Sequence, residues 1–268
     1  MPQSAPVASQ PPSLDARPTC ADTVVLVPAF REARGIGPVI EELRGTVDPL
    51  ILVINRPDGD GTEAAARARG ALVVNQPGKG KGDAVRLGLE YVQRHFDGAR
   101  YIGLIDADCT YPPAAIEPMR AILEQEPKVG MVVASRQNLA NNGVPSRTFA
   151  LGNRILATVH HVLNKVPLED PLSGLRLVKA ELLWDWQPRS RGFDIECELN
   201  DYIQNVKGRA IGQVSIPYRP RIGEKKLRVR HGLAILGRML NMRLRSPSLP
   251  VAVSPSVDPV RSRAPVDQ

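Results

Sequence analysis

The feature of this 268-residue chain that most constrains its fold is an alternation of short apolar runs with amphipathic stretches in its first half. Short, almost wholly apolar runs are typical of strands that are buried on both faces of a sheet, and they occupy residues 24–27, 50–54, 71–74, 101–105 and 129–134. The segments between them have helical periodicity, over residues 36–43, 63–69, 83–94 and 115–124. This order predicts an α/β fold with a mostly parallel central sheet flanked by helices, whose ligands bind at the carboxyl ends of the strands.

The second half of the chain is less regular. Its predicted helices are 149–163 and 194–206, and its predicted strands are 174–178 and 209–216. The two ends, 1–21 and 246–268, are rich in Pro, Ser and Ala, and they have too few large apolar residues to offset the entropy of ordering. We therefore expect two disordered tails, one domain over residues 22–218 and a separate segment over residues 219–245.

The segment 219–245 contains most of the net charge. The chain has a formal charge of +7, and this segment has nine Lys or Arg against one acidic residue, so the remainder sums to −1. A basic charge confined to one segment indicates an anionic surface or a phosphate ligand and argues against nucleic acid as a partner. Apolar residues at helical spacing predict an amphipathic interfacial helix at its end, with Leu233, Leu236, Met239, Leu240 and Leu244 on one face. A helix packed on the domain, with a solvated basic face, is the alternative.

The sequence also bears on the compartment of the protein. No run approaches the roughly 18–20 apolar residues that cross a bilayer, and the N-terminus lacks a signal-peptide pattern. We therefore expect a cytoplasmic protein that is peripheral at the inner face of the cell membrane. The three cysteines share no metal-ligand spacing, so neither a disulfide framework nor a zinc site is predicted. No oligomeric state is indicated.

Two carboxylates follow the fourth predicted strand, where Asp106 and Asp108 flank Ala107. Such a pair at a strand end supplies hard oxygen ligands for Mg²⁺ or Mn²⁺ shared with phosphate oxygens. Considered alone, the pattern is also that of an acidic turn that opens a helix.

The first three predicted strands likewise end in polar loops. In a doubly wound sheet such loops open onto one crevice, so their side chains can converge on one nucleotide. In the third loop, residues 77–83, glycines allow close backbone approach and lysines can bind phosphate. Each loop alone is equally compatible with ordinary turn chemistry. The candidate donor-binding residues are Pro28, Phe30, Glu32, Asn55, Asp60, Lys81 and Asp106.

Taken together in this order, the loops resemble the glycosyltransferase family 2 pattern on the GT-A fold, over roughly residues 23–225. The family's Pro-Ala-Tyr-Asn-Glu is matched by residues 28–32, its Asp-Asp-Gly-Ser-x-Asp-Gly-Thr by 55–62, its Gly-Lys-Gly by 80–82 and its Asp-x-Asp by 106–108. The resemblance implies a nucleotide diphosphate sugar donor, of the GDP-mannose or UDP-glucose type, held with Mg²⁺ or Mn²⁺.

Three residues depart from the family pattern. Asn55 stands in place of an Asp that contacts base or ribose, and Arg31 replaces the usual Asn. Thr110 stands where some members have an amide that binds the metal. Neither the nucleobase nor a third metal ligand is therefore implied.

Within this family the chain is most similar to the polyprenyl-phosphate hexosyltransferases, the branch of dolichol-phosphate mannose synthase. The resemblance implies transfer of the hexose to a polyprenyl phosphate, with inversion. Arg side chains bind phosphate through paired donors, and the candidates for the acceptor phosphate are Ser135, Arg136, Arg147 and Arg176. Further matches are the Pro pair at 112–113, Asn153, and the segments 170–176, 193–199 and 217–227.

The candidate catalytic residues are Asp106, Asp108, Arg136 and Glu196. The metal and Arg136 would stabilise the leaving diphosphate. A lipid phosphate is already anionic near neutral pH and needs no general base, whereas an alcohol acceptor would need one, for which Glu196 is a candidate. Two alternatives stay open: transfer to a small soluble acceptor, as in glucosyl-phosphoglycerate synthases, and a nucleotide-binding or nucleotidyl-transferring protein.

Overall fold

The computed structural model describes residues 20–137, 147–217, 219–223, 236–237 and 239–240. The strands are β1 (Cys20–Ala29), β2 (Pro49–Asn55), β3 (Leu72–Asn75), β4 (Tyr101–Leu104), β5 (Val129–Gln137), β6 (Arg176–Lys179) and β7 (Ala210–Pro217). The α-helices are α1 (Ile36–Thr46), α2 (Thr62–Arg67), α3 (Lys81–His95), α4 (Ile116–Gln125), α5 (Arg147–Asn164) and α6 (Ile195–Asp201). A π-helical turn (Tyr202–Val206) extends α6, and 3-10 turns occupy Pro113–Ala115 and Ala180–Leu182.

The seven strands form one sheet in the order β3-β2-β1-β4-β6-β5-β7. β1 pairs in parallel with β2 and β4, β2 with β3, and β5 with β7, whereas β6 is antiparallel to β4 and β5. The prediction of a mostly parallel sheet flanked by helices is confirmed, with one antiparallel strand that the pattern of apolar residues did not reveal. Parallel strands end at the same edge, so the loops after β1, β2, β4 and β5 open on one side of the sheet.

Both faces of the sheet are covered because β1 is apolar on both sides. Val25 and Val27 belong to the core layer that includes α1 and α4, while Val24 and Leu26 belong to the layer that includes α3 and α6. Continuous apolar strands are what a doubly covered parallel sheet requires. The strand ends are therefore held by a packed layer on either side.

The two ends of the chain are described only in part. β1 begins at Cys20, inside the predicted tail 1–21, whereas residues 1–19 and the predicted tail 246–268 lie outside the described residues. In the predicted interfacial helix, Met239 is fully buried and Leu236 packs beside it on the domain, while Leu240 is 54% exposed. Part of the predicted apolar face is thus covered by the domain, and Leu233 and Leu244 lie outside the described residues. Among the described residues no helix is both long and apolar enough to cross a membrane.

Candidate active site

The loops after β1, β2 and β4 meet at one edge because these strands are neighbours in the sheet. Pro28 lies opposite Ile54 near the ends of β1 and β2. Beyond the ladder, Arg56 N donates to Ala29 O at 3.0 Å, and Ile105 N donates to Leu26 O at 3.1 Å. The strands therefore stay paired up to the point where the polar residues begin.

The loops after β1 and β2 are joined through Thr62. Its Oγ1 accepts a hydrogen bond from Glu32 N at 2.9 Å and donates to Asp60 Oδ2 at 2.7 Å, and Thr62 N donates to Asp60 Oδ1 at 3.0 Å. Burial tends to raise the pKa of Asp60, but the hydrogen bonds from Thr62 and its neighbours outweigh it and hold the pKa below its ordinary value. Thr62, which had no role assigned from the sequence, thus orders two of the predicted donor-binding residues.

Phe30 and Asn55 supply an aromatic face and a buried amide. The Arg56 Cζ lies 4.6 Å and the Arg31 Cζ 5.4 Å from the centroid of the Phe30 ring. Asn55 Nδ2 donates to Asn75 Oδ1 at 3.0 Å, and among the described residues the buried Asn55 Oδ1 has no hydrogen-bond partner. A buried oxygen without a donor costs free energy unless a ligand or water supplies one. This combination suits an aromatic ligand that donates hydrogen bonds.

Asp108 is the buried member of the carboxylate pair, with 2% of its side chain exposed. Its Oδ1 accepts from Thr110 N at 3.1 Å and from Thr110 Oγ1 at 2.5 Å, and its Oδ2 pairs with Arg221. The intervening Cys109 has a left-handed backbone, with φ of 65°, so the chain turns Thr110 back onto the carboxylate. Thr110 therefore orients Asp108 through two hydrogen bonds.

Asp106 is the more open member, with 26% of its side chain exposed. Its Oδ1 accepts from Lys81 Nζ at 2.5 Å, and its carboxylate lies so close to Gly174 that a Cβ there would collide with it. Burial tends to raise the pKa of Asp106, but Lys81 and, after it, Arg221 and Arg136 hold the pKa below its ordinary value. The need for glycine at position 174 was not apparent from the sequence.

Lys81 joins the strand-end loops to the second half of the domain. Its Nζ lies 2.5 Å from Asp106 Oδ1 and 2.5 Å from Glu196 Oε1. Burial alone would lower the pKa of Lys81, but the two carboxylates raise it above its ordinary value, so the ammonium group stays charged. Glu196 is buried in the first turn of α6, and among the described residues its Oε2 has no hydrogen-bond partner.

The glycines beside Lys81 pack against the main chain that precedes α6. A Cβ at Gly80 or Gly82 would collide with the carbonyl oxygens of Arg191 and Ser190, and Gly82 N donates to Arg191 O at 3.1 Å. The glycines therefore allow a close approach to the main chain before α6, and a backbone approach to phosphate stays a prediction. This packing brings Lys81 within reach of Glu196.

Arg136 and Ser135, expected to hold an acceptor phosphate, lie at the end of β5. Arg136 Nε and Nη2 donate to the Asp170 carboxylate at 2.5 and 2.8 Å in a largely buried ion pair. Ser135 Oγ donates to Glu169 Oε2 at 3.3 Å. A phosphate would have to compete with these acidic groups. Arg147 begins α5, but its side chain, like that of Asn153, lies outside the described residues.

The expected role of Arg176 in holding an acceptor phosphate is corrected by its position. Its side chain is fully buried, and its guanidinium donates to Ser173 O at 2.8 Å, to Pro171 O at 2.6 Å and to Asn200 Oδ1. A guanidinium committed to three internal acceptors supports the loop before β6. We therefore exclude Arg176 from the acceptor site.

The pair Asp106 and Asp108 fits a divalent cation whose coordination a diphosphate completes. Mg²⁺ is commonly bound through one or two carboxylates together with substrate phosphates. Over the described parts of the chain, no group of three or more His, Cys, Asp or Glu forms a metal site by itself. Water or the oxygens of a bound donor would complete the coordination, and the absence of a side chain at Gly174 leaves room for the Asp106 carboxylate.

A comparison with protein families decides the assignment of the chain. The family described as Glycosyl transferase family 2 matches residues 24–185. The chain belongs to glycosyl transferase family 2. As a family 2 protein it is similar to Glycosyltransferase AglJ of Haloferax volcanii, with 34% identity over 182 residues that are 68% of this chain and 58% of AglJ. It is also similar to the Dolichyl-phosphate hexose transferase of the same organism, with 26% identity over 226 residues, 83% of this chain and 93% of that protein.

The match to the longer relatives is partial, since the chain spans 58% of AglJ and 49% of the hexosyltransferase Agl6.

Solved structures of similar fold include glucosyl-3-phosphoglycerate synthase from Mycobacterium tuberculosis in complex with Mn²⁺, UDP and phosphoglyceric acid. It has a TM-score of 0.66 and 21% identity, covering 85% of this chain and 80% of that one. Mannosyl-3-phosphoglycerate synthase from Rubrobacter xylanophilus has a TM-score of 0.67 and 21% identity, covering 84% and 74%. These likenesses confirm the predicted fold of this family 2 chain.

Proposed function

We propose that this family 2 chain is a metal-dependent, inverting hexosyltransferase that moves a hexose from a nucleotide diphosphate sugar to a polyprenyl phosphate. Its main support is the position of Lys81, whose Nζ lies 2.5 Å from both Asp106 and Glu196. Asp106 belongs to the strand-end loops and Glu196 to α6. The Lys81 ammonium group would therefore lie between the leaving diphosphate, beside Asp106, and the acceptor, beside Glu196.

On the donor side, Phe30 and Asn55 are proposed to contact the nucleobase, with Pro28, Glu32 and Asp60 lining the same cleft. Asp106 and Asp108 are proposed to hold Mg²⁺ or Mn²⁺, which when bound would act as a Lewis acid toward the leaving diphosphate. Lys81 and Arg136 add positive charge beside Asp106. Fixed cations in a site partly closed to water stabilise a developing negative charge more than they would in bulk solvent.

On the acceptor side, a phosphate needs cations rather than a base. Phosphate monoesters have a second pKa of about 6, so the attacking oxygen is already anionic near neutral pH. Arg136, Ser135 and Arg147 are proposed to hold it, with Asp170 releasing part of the Arg136 guanidinium. Glu196 would act as a general base only toward an alcohol acceptor.

Sequence similarity that extends over nearly the whole length of one relative favours a lipid acceptor over a small soluble acceptor. The chain covers 93% of the Dolichyl-phosphate hexose transferase. The likeness to glucosyl-3-phosphoglycerate synthase has 21% identity and extends to the fold alone. The basic segment 219–245 also suits a protein whose acceptor lies in an anionic membrane.

Transfer of a labelled sugar tests the acceptor class. Purified protein is supplied with radiolabelled GDP-mannose, UDP-glucose or UDP-N-acetylglucosamine, with Mg²⁺ or Mn²⁺, and with either polyprenyl phosphate or 3-phosphoglycerate. We expect label in the organic phase only with the lipid. Label that stays exclusively in an aqueous product formed from 3-phosphoglycerate would reject the lipid acceptor and support the soluble one.

We also propose that residues 219–245 hold the domain, residues 22–218, at the cytoplasmic face of the membrane. Each basic residue near an anionic leaflet contributes about 1 kcal/mol to binding. Replacing Lys225, Lys226, Arg228 and Arg230 by Gln should therefore weaken sedimentation with phosphatidylserine vesicles. The control variant neutralises four arginines elsewhere, Arg67, Arg86, Arg94 and Arg100, whose side chains are exposed. Equal losses in the two variants would exclude a specific role for the segment.

A further inference from the structure

The segment 219–223, called here the cap segment, lies across the carboxylate pair after β7. Ile222 N donates to Asp108 O at 2.9 Å, and the Arg221 guanidinium pairs with Asp108 Oδ2. At Gly223 the backbone is left-handed, with φ of 99°, and a Cβ there would lie 3.1 Å from Glu32 Oε2. The cap segment therefore runs from the fourth strand-end loop to the first, so it forms part of the donor cleft.

Both oxygens of Asp108 are bonded to groups of the chain itself. Oδ1 accepts two hydrogen bonds from Thr110, and Oδ2 pairs with Arg221. Asp106 Oδ1 is likewise held by Lys81. A divalent cation that arrived alone would have to displace a charge-assisted hydrogen bond, and it would meet two cations in a partly buried site where repulsion is weakly screened.

A diphosphate changes this balance of charge. Its oxygens are strong acceptors for guanidinium and ammonium groups, so Arg221 and Lys81 can exchange carboxylate for phosphate while the carboxylates turn to the metal. Resting on the function proposed above, we infer that Arg221 makes metal binding conditional on the nucleotide. Arg221 keeps the metal from occupying Asp108 alone, so metal and donor bind as a coupled pair. Such coupling is reciprocal, since each ligand raises the affinity for the other by the same factor.

Direct measurement of Mn²⁺ binding by electron paramagnetic resonance, without turnover, tests this role. Wild-type protein should bind Mn²⁺ weakly, and UDP or GDP should tighten binding at least about tenfold. Without nucleotide, Arg221→Gln should bind Mn²⁺ about tenfold to a hundredfold more tightly than wild type. This is the factor expected because the metal no longer has to displace one hydrogen bond to a charged group. The same variant should show a smaller coupling to nucleotide than wild type, because the diphosphate and Lys81 still contribute.

Arg219→Gln is the matched control. It removes the same charge from the same segment, but Arg219 pairs with Glu42 at 2.8 Å, so its Mn²⁺ affinity should stay near that of wild type. The inference is overturned if Arg221→Gln binds Mn²⁺ no more tightly than wild type, or if Arg219→Gln gains as much.

Asp108→Asn separates failure of this inference from failure of the proposed function. If Asp108→Asn loses Mn²⁺ binding in the presence of nucleotide, while Arg221→Gln equals wild type, the metal site stands and the role of Arg221 falls. If Asp108→Asn binds Mn²⁺ as wild type does with either nucleotide, the metal site itself is wrong, and the inference falls with it.

Discussion

The two halves of the domain use charged and polar side chains in different ways. In residues 20–110 several of these groups lie near strand ends and link one loop to another, as Glu32 and Asp60 are linked through Thr62. In residues 147–217 the side chains of Arg176, His160 and Asn200 are fully buried and form a network. On the function proposed above, a charged residue in a family motif serves binding in one half and packing in the other.

The buried network of the second half joins three elements. Arg176, at the start of β6, donates to Asn200 Oδ1 of α6, and Asn200 Nδ2 lies 3.3 Å from His160 Nε2 of α5. Asn200 Nδ2 also donates to Pro171 O at 3.0 Å. Because α6 contains Glu196 as well, the network fixes the carboxylate that Lys81 links to Asp106.

The largest effect is expected from a change in the first half that leaves the fold intact. Asp108→Asn preserves side-chain size but removes the negative charge that a metal requires, so turnover should fall at least about a hundredfold. The control is Asp185→Asn, since Asp185 is 69% exposed and pairs with Lys207 on the surface. Turnover of labelled donor and thermal melting are measured together. If turnover falls only in proportion to the amount of folded protein, the proposed distinction between the two halves is wrong.

In the second half, the corresponding change should act on stability. Arg176→Met leaves Asn200 Oδ1 and Ser173 O without donors that they have in the fold, and the free energy of unfolding should fall by about 3 kcal/mol or more. Arg94→Met, at a residue whose side chain is 69% exposed, should change it by less than about 0.5 kcal/mol. Urea unfolding compares the two variants. A stable Arg176→Met protein with weakened binding of lipid phosphate would restore Arg176 to the acceptor site.

A smaller effect follows from His160. Burial, with Arg176 nearby, lowers the pKa of His160 from 6.5 to about 3, so the folded state keeps the ring neutral where the unfolded chain protonates it. Stability therefore falls with decreasing pH between these two values, by about 2 kcal/mol from pH 7 to pH 5. In His160→Leu the free energy of unfolding, measured with urea at both pH values, should fall less between pH 7 and pH 5 than in wild type. The control is His161→Gln, since the neighbouring His161 is exposed. If the pH dependence of stability changes as much in His161→Gln as in His160→Leu, the buried His160 is not its cause.

Sequence alone predicted the strand-end loops because apolar strands and polar loops follow each other in a regular order. The structure brings Asp106, Lys81 and Glu196 together from the loop after β4, the start of α3 and α6. The pairing of Arg221 with Asp108 could not be predicted, since it depends on how the chain returns after β7. The burial of Arg176 could not be predicted either, because the motif that contains it specifies residue types and not their exposure.

Binding of a nucleoside diphosphate, followed by isothermal titration calorimetry with Mg²⁺ and with EDTA, tests the assignment of the first half most directly. In wild-type protein we expect UDP or GDP to bind at least about tenfold more tightly with Mg²⁺. In Asp106→Asn the difference between Mg²⁺ and EDTA should disappear. Nucleotide binding that is independent of metal in wild type, or equally dependent on metal in Asp106→Asn, would contradict a metal and diphosphate site at Asp106 and Asp108.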